Sequence, residues 1–188
     1  MELSEMVALI RGGVPREGGI WADLGAGTGN FSWALAERIG PQGTIYAIDR
    51  DAKAIRQIHQ RIAQADPGAA IIPQQADFSR ALDIPTLHGV LMANALHFIR
   101  DQPAALALVA GYLRPGGRLL LVEYDLRSPL PWVPFPVSLA HLAHLADAAG
   151  FEPPAEIGRR TSPSSGAAMF AALATRRTAC ASAAAEGA

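Results

Sequence analysis

The chain has 188 residues, half of them hydrophobic and 18% charged, which fits one globular domain and excludes a disordered or low-complexity protein. A formal net charge of −1 gives no broad basic field, so a nucleic-acid backbone is disfavoured as partner. Its single cysteine, Cys180, excludes an internal disulfide and a cysteine-based metal framework, and no metal is expected.

Helical patterns and apolar runs alternate along the chain. A short helix is expected over Leu3 to Arg11, followed by glycine breaks and a first strand, Ile20 to Leu24. Phe31, Leu35 and Ile39 recur at helical spacing, so a helix is read from Asn30 to Ile39. Strand two is Thr44 to Ile48, and a helix over Ala52 to Gln64 buries Ile55, Ile58 and Ile62. Strand three, Ala70 to Gln75, and strand four, His88 to Ala93, come next. A helix from Gln102 to Leu113 is stopped by Arg114-Pro115-Gly116-Gly117, ahead of strand five, Arg118 to Tyr124. A proline-rich segment, Arg127 to Pro136, leads to a helix from Val137 to Ala149. Two strands, near Glu156 to Arg160 and Ala168 to Thr175, form an expected edge hairpin around a turn at Ser162 to Gly166. Residues 1–176 are expected to form one α/β domain, and 177–188 a flexible tail. No basic leader and no long apolar run is read, so a cytoplasmic protein without a membrane span is expected.

The chemistry concentrates at Asp23-Leu24-Gly25-Ala26-Gly27-Thr28-Gly29-Asn30. A strand entering a helix through such a turn leaves backbone N–H groups free at the helix start. Gly25 permits a sharp turn, and Gly27 lets a ligand approach the backbone. The dinucleotide fingerprint needs glycine or alanine where this chain has Asn30, and the P-loop needs a lysine that is missing. A nicotinamide oxidoreductase is disfavoured on that ground. An acid before the glycines suits a ligand carrying positive charge better than a pyrophosphate. Asp49 closes strand two near the spacing of a ribose-binding carboxylate; its alternative is a helix cap, for which Asp51 is better placed. Asp77 and Phe78 follow strand three, either receiving a base or capping a turn and packing in the core.

Taken together, Trp21 to Asn30, Ile45 to Asp49, Ala76 to Phe78, Leu91 to Phe98 and Leu113 to Glu123 closely resemble the class I S-adenosylmethionine-dependent methyltransferases. The resemblance runs from about residue 15 to 177. It implies a Rossmann-like three-layer sandwich whose seven-stranded, mostly parallel sheet has an antiparallel last strand. It also implies the cofactor S-adenosylmethionine. Asp23, Gly25, Ala26, Gly27 and Gly29 would cradle the methionine part, Asp49 and Arg50 the ribose side, Asp77 and Phe78 the adenine, and Asn94 the methionine end. One departure stands out: relatives commonly carry an aspartate near the start of strand four, where this chain has His88-Gly89.

Methyl transfer from a sulfonium is a direct displacement, in which alignment matters most. His97, after strand four, is the expected base if the acceptor must lose a proton. Tyr124 and Asp125, after strand five, are weaker candidates for that role at the same edge, and Tyr124 is also an expected acceptor contact. Trp132 and Phe135 either wall an acceptor pocket or dock on the core. His141 and His144 share a helix face without a third metal ligand. The expected function is methyl transfer to a small-molecule acceptor by a monomer or homodimer. The alternatives are an RNA or protein methyltransferase, or a cofactor-binding module that has lost transfer.

Overall fold

The computed structural model describes residues 1–16, 18–162 and 165–178. Cys180 and most of the expected tail lie outside them. In chain order the elements are α1 (Leu3–Ile10), β1 (Gly19–Leu24), α2 (Asn30–Ile39), β2 (Gly43–Asp49), α3 (Ala52–Gln64), β3 (Ala70–Gln75) and β4 (Leu87–Ala93). A 3-10 turn (Leu96–Phe98) follows, then α4 (Gln102–Tyr112), β5 (Leu113–Tyr124), α5 (Leu139–Ala148), β6 (Ala155–Thr161) and β7 (Ala168–Thr175).

The strands form one sheet in the order β3-β2-β1-β4-β5-β7-β6. The first five are parallel, and β7 runs antiparallel between β5 and β6. The terminal hairpin therefore joins the sheet with its second strand inside and β6 at the edge. Alternation along the strands separates two cores. Trp21, Ile45, Leu91, Leu120 and Val122 pack with α1, α2 and α3 on one face. Ala22, Leu24, Val90, Met92 and Leu121 pack with α4 and α5 on the other. Among the described residues no helix is long and apolar enough to cross a membrane.

The chain order reverses between β1 and β4, so the loops after β1, β2, β3 and β4 meet at one carboxyl edge, where open α/β sheets bind ligands. His88-Gly89 has a packing cause. A Cβ on Gly89 would sit 2.2 Å from the buried Trp21 ring, and His88 Nδ1 accepts the Ile20 N–H at 3.0 Å. That end of β4 serves sheet packing.

Two expected boundaries move. Residues Arg114 to Gly117 fall inside β5 as an irregularity: Leu87 pairs with Leu113, then Gly89 with Arg118. The positive φ of Gly116, 72°, turns the chain out, and β7's end ties the excursion down through Gly116 N–H to Arg176 O at 3.0 Å. Helix α5 begins after Ser138, whose hydroxyl accepts the His141 N–H at 3.2 Å, while Val137 is buried. His141 and His144 are exposed on it.

Candidate functional site

The glycine turn is held from behind. Gly25 and Ala26 donate their N–H groups to Ile48 O at 2.8 and 3.0 Å, which ties the turn to β2. Gly25, Gly27 and Gly29 all take positive φ, at 77, 52 and 84°. Their surroundings differ. A Cβ on Gly25 would lie 2.6 Å from Ala95 Cβ, and one on Gly29 would lie 3.0 Å from Ile58. Around Gly27 a Cβ would meet nothing within 4 Å. Gly25 and Gly29 therefore serve packing, and Gly27 opens the backbone to a ligand.

That opening faces a cavity of about 540 Å³, lined in part by Gly25, Ala26, Gly27, Asp49, Arg50, Asp77, Phe78 and Asn94. These are eight of the ten expected cofactor residues. Asp49 bridges the turn to β2's end: Oδ2 accepts the Gly27 N–H and Oδ1 the Asp51 N–H, both at 2.8 Å. Asp51, not Asp49, caps α3 through Lys53 N. Asp77 Oδ1 accepts both the N–H and the hydroxyl of Ser79, and the Ser79 hydroxyl chiefly holds its pKa below the ordinary range. Asp77 thus closes its own turn and also faces the cavity.

Asp23 and Gly29 stand behind the wall. Asp23 is 1% exposed, accepts the Ser32 hydroxyl at 2.6 Å through Oδ2, and leaves Oδ1 buried without a partner. Burial, opposed by the Ser32 hydrogen bond and reinforced by the Asp49 charge, pushes its pKa up to about 7. Asn94 is the one described non-glycine residue with positive φ, 53°. Its N–H donates to Val122 O at 2.8 Å, and its side-chain Oδ1 is also buried without a partner. Two orphaned acceptors at the β1/β4 reversal fit a ligand that brings hydrogen-bond donors and positive charge.

The acceptor-side expectations are placed differently. His97 is 2% exposed and does not line the cavity. Its Nδ1 lies 2.5 Å from Glu123 Oε2, its N–H donates to Glu123 Oε1 at 3.3 Å, and its carbonyl accepts the Phe135 N–H at 3.0 Å. Tyr124 stacks obliquely near His97, at 6.0 Å between ring centroids. Tyr124, Trp132 and Phe135 are absent from the cavity wall, and Trp132 is half exposed. Asp125 pairs with Arg159 at 2.7 Å. Among the described residues no cluster of histidine, cysteine and acid side chains is arranged to hold a metal.

The wall has members that sequence reasoning missed: Met1, Met6, Phe31, Phe98 and Ile99. The amphipathic pattern of α1 marks Met6 as inward-facing but does not say into what. Glu123 was missed because a buried glutamate inside an apolar strand becomes intelligible only beside His97. Glu123→Ala should cost roughly 3 kcal/mol, since it leaves the His97 ring buried without its partner. Glu123→Gln should retain most of that stability; equal denaturation midpoints for the alanine variant and the parent would refute the brace.

A family of methyltransferase domains matches residues 22–117. An uncharacterized RNA methyltransferase of Streptomyces coelicolor is 28% identical over 171 residues, covering 80% of this chain and 35% of that protein. The ubiquinone/menaquinone biosynthesis C-methyltransferase UbiE of Bordetella avium is 30% identical over 105 residues, covering 55% of this chain and 40% of its own. The chain thus spans well under half the length of these curated relatives. Among solved structures, the YcgJ protein of Bacillus subtilis superposes with a TM-score of 0.73 at 15% identity, covering 94% of this chain and 98% of that one. The 1,6-didemethyltoxoflavin-N1-methyltransferase of Burkholderia thailandensis, solved with 1,6-didemethyltoxoflavin and S-adenosylhomocysteine, gives 0.71 at 19% identity, over 94% of this chain and 78% of that one.

Proposed function

This chain belongs to the methyltransferase-domain family, and from that premise we propose that it transfers a methyl group from S-adenosylmethionine to a small-molecule acceptor. One observation carries the reading: the cavity wall divides by charge. Its charged side chains, Asp49, Arg50 and Asp77, come from the end of β2 and from the loops after β2 and β3. The wall built by the N-terminus, α1, α2 and the loop after β4 includes Met1, Met6, Asn30, Phe31, Asn94 and Phe98, none of which has a charged side chain. The sheet order sets β3 and β2 on one side of the glycine turn and β4 on the other.

The first side suits a nucleoside. Asp49 spends one lone pair of each oxygen on the backbone and keeps the others for ribose hydroxyls. Asp77 accepts from an adenine amino group, and the Phe78 ring packs against the base. Gly27 lets the chain of the ligand pass close to the backbone. Asp23 and Asn94 offer their orphaned oxygens toward the ammonium end. When bound, the cofactor supplies an electrophilic methyl group on a sulfonium. The side without charged side chains then receives the acceptor, and the enzyme's main contribution is alignment and exclusion of water. An RNA acceptor, as the Streptomyces relative's name suggests for that protein, is disfavoured by the net charge of −1, which gives no broad basic field for a phosphate backbone.

Titration calorimetry with S-adenosylmethionine, S-adenosylhomocysteine and NAD tests the reading. Binding of the first two and not the third is expected. NAD binding without S-adenosylmethionine binding would overturn it.

A further inference from the structure

We infer that Arg61 is a positioning residue for the cofactor's amino-acid end: it holds the Asn30 carboxamide so that the amide NH2 group donates to the methionine carboxylate. The inference rests on the reading above and extends it to a residue outside the cavity wall. Asn30 stands where a dinucleotide fingerprint needs glycine or alanine, and it lines the cavity at the start of α2. Its Oδ1 accepts from Arg61 Nη1 at 3.1 Å. A guanidinium has donors only, so the atom facing it must be the amide oxygen. The Nδ2 donors are thereby turned away from Arg61, and among the described residues they have no protein acceptor. Arg61 is itself fixed in place. Its guanidinium lies 4.1 Å from the centroid of the Trp33 ring. Ile58, one turn earlier on α3, would lie 3.0 Å from a Cβ on Gly29, so α3 packs directly against the start of α2.

The charge on Arg61 selects the partner. Among the described residues Arg61 forms no ion pair. Partial burial draws its pKa below the ordinary value, and no acid raises it. A cation without a protein counter-charge polarises the Asn30 amide and strengthens its Nδ2 donors toward a negative acceptor. The first turn of α2 holds no acid that would oppose one. S-adenosylmethionine has one anionic group, its carboxylate, on the same carbon as the ammonium. A wall that receives the ammonium must therefore keep donors beside it. The orphaned oxygens of Asp23 and Asn94 suit the ammonium and cannot donate. Ser32, which bonds Asp23, lies two residues beyond Asn30 in α2, so the Asn30 amide stands at that junction. Arg50, the cation of the wall itself, stands with Asp77 on the nucleoside side.

Calorimetry with S-adenosylhomocysteine and its decarboxylated analogue, S-adenosyl-3-thiopropylamine, tests this, because the two ligands differ only in the carboxylate. The parent should prefer S-adenosylhomocysteine by roughly tenfold. Arg61→Met, whose side chain still covers Trp33, should bind S-adenosylhomocysteine about fivefold less tightly, while its affinity for the analogue stays within about twofold. Asn30→Ala should show a selective loss of the same kind. The double variant should lose no more than Asn30→Ala alone, since Arg61 acts through that amide. Asn30→Asp still accepts from Arg61 but offers the carboxylate no donor, so the preference should vanish with the fold retained. If Arg61→Met fails to fold, Asn30→Asp decides. A parent without preference, an unchanged preference in Arg61→Met or Asn30→Asp, equal loss of both ligands, or additive losses in the double variant overturns the inference and leaves the methyltransferase reading standing. A parent that binds neither ligand defeats that reading, and the inference with it.

Discussion

Gly27→Ala is expected to leave the fold intact and to weaken S-adenosylhomocysteine binding by roughly a hundredfold, or about 3 kcal/mol. The added methyl meets no protein atom within 4 Å, so its cost to the apo fold is the positive φ alone. That cost is about 1 kcal/mol. The methyl also stands in the cavity, where Gly27 is part of the wall. Gly40→Ala supplies the control: its φ is 73°, a Cβ there also has open space, and it lies away from the cavity wall. Gly40 also has ψ −173°, a conformation closed to most other residues, so its alanine variant should lose more stability than Gly27→Ala and yet keep its affinity. Gly25→Ala behaves differently again, because its Cβ collides with Ala95; overpacking adds about 1–3 kcal/mol to the loss. Thermal denaturation with calorimetry separates the three. A Gly27→Ala protein that binds S-adenosylhomocysteine as tightly as its parent would show that the cavity is not approached at this turn.

The second large effect is Asp23→Asn. The folded chain holds the Asp23 carboxyl at about 7, against an ordinary 3.8, chiefly because it is buried. Between those values the folded state retains a proton that the unfolded state has released. Asp23's contribution to stability is therefore full below about pH 4 and is lost as pH rises through 7. The loss is on the order of a few kcal/mol. Asparagine does not titrate and still accepts the Ser32 hydroxyl, so Asp23→Asn should flatten this descent and make the apo protein more stable at pH 8. Ligand binding runs the other way. A cation placed near Asp23 favours the carboxylate, so S-adenosylmethionine should bind more tightly as pH rises from 5.5 to about 7, with release of a proton. Calorimetry at pH 6 in buffers of different ionisation enthalpy measures that proton. Its presence in the parent and absence in Asp23→Asn is the expected pair; equal proton release in both would remove Asp23 from the binding reaction.

Much of this molecule was legible in one dimension. The bounds of α2, α3, β3 and β7 follow from apolar spacing, because local periodicity and the faces it buries are properties of neighbouring residues. The boundaries that moved did so for long-range reasons. Residues Arg114 to Gly117 have the composition of a helix stop and a turn, yet they lie within β5 because Leu87 pairs with Leu113 just ahead of them and Arg176 exchanges backbone hydrogen bonds with Gly116 and Gly117. Asp49, Asp77, Phe78 and Asn94 reach one cavity as expected, since the carboxyl edge of a parallel sheet gathers the ends of its strands whatever their separation in sequence.

The succession of helices and strands along the chain, the glycine turn and the acids that follow it were thus determined by the sequence itself, through short-range patterns and motif spacing. Tertiary structure decided which of those residues stand in the wall and which stand behind it. Asp23 and His97 read as site residues by position, but burial depends on what packs over them: Ser32 and the glycine turn in one case, Glu123 and the Phe135 strap in the other. Only the folded chain could bring Met1 and, from the first helix, Met6 to Phe98, after the fourth strand, and so set a wall without charged side chains opposite the acids. Contacts between residues so far apart in sequence leave no periodic trace in it, because each is settled by the packing of whole elements rather than by neighbours along the chain.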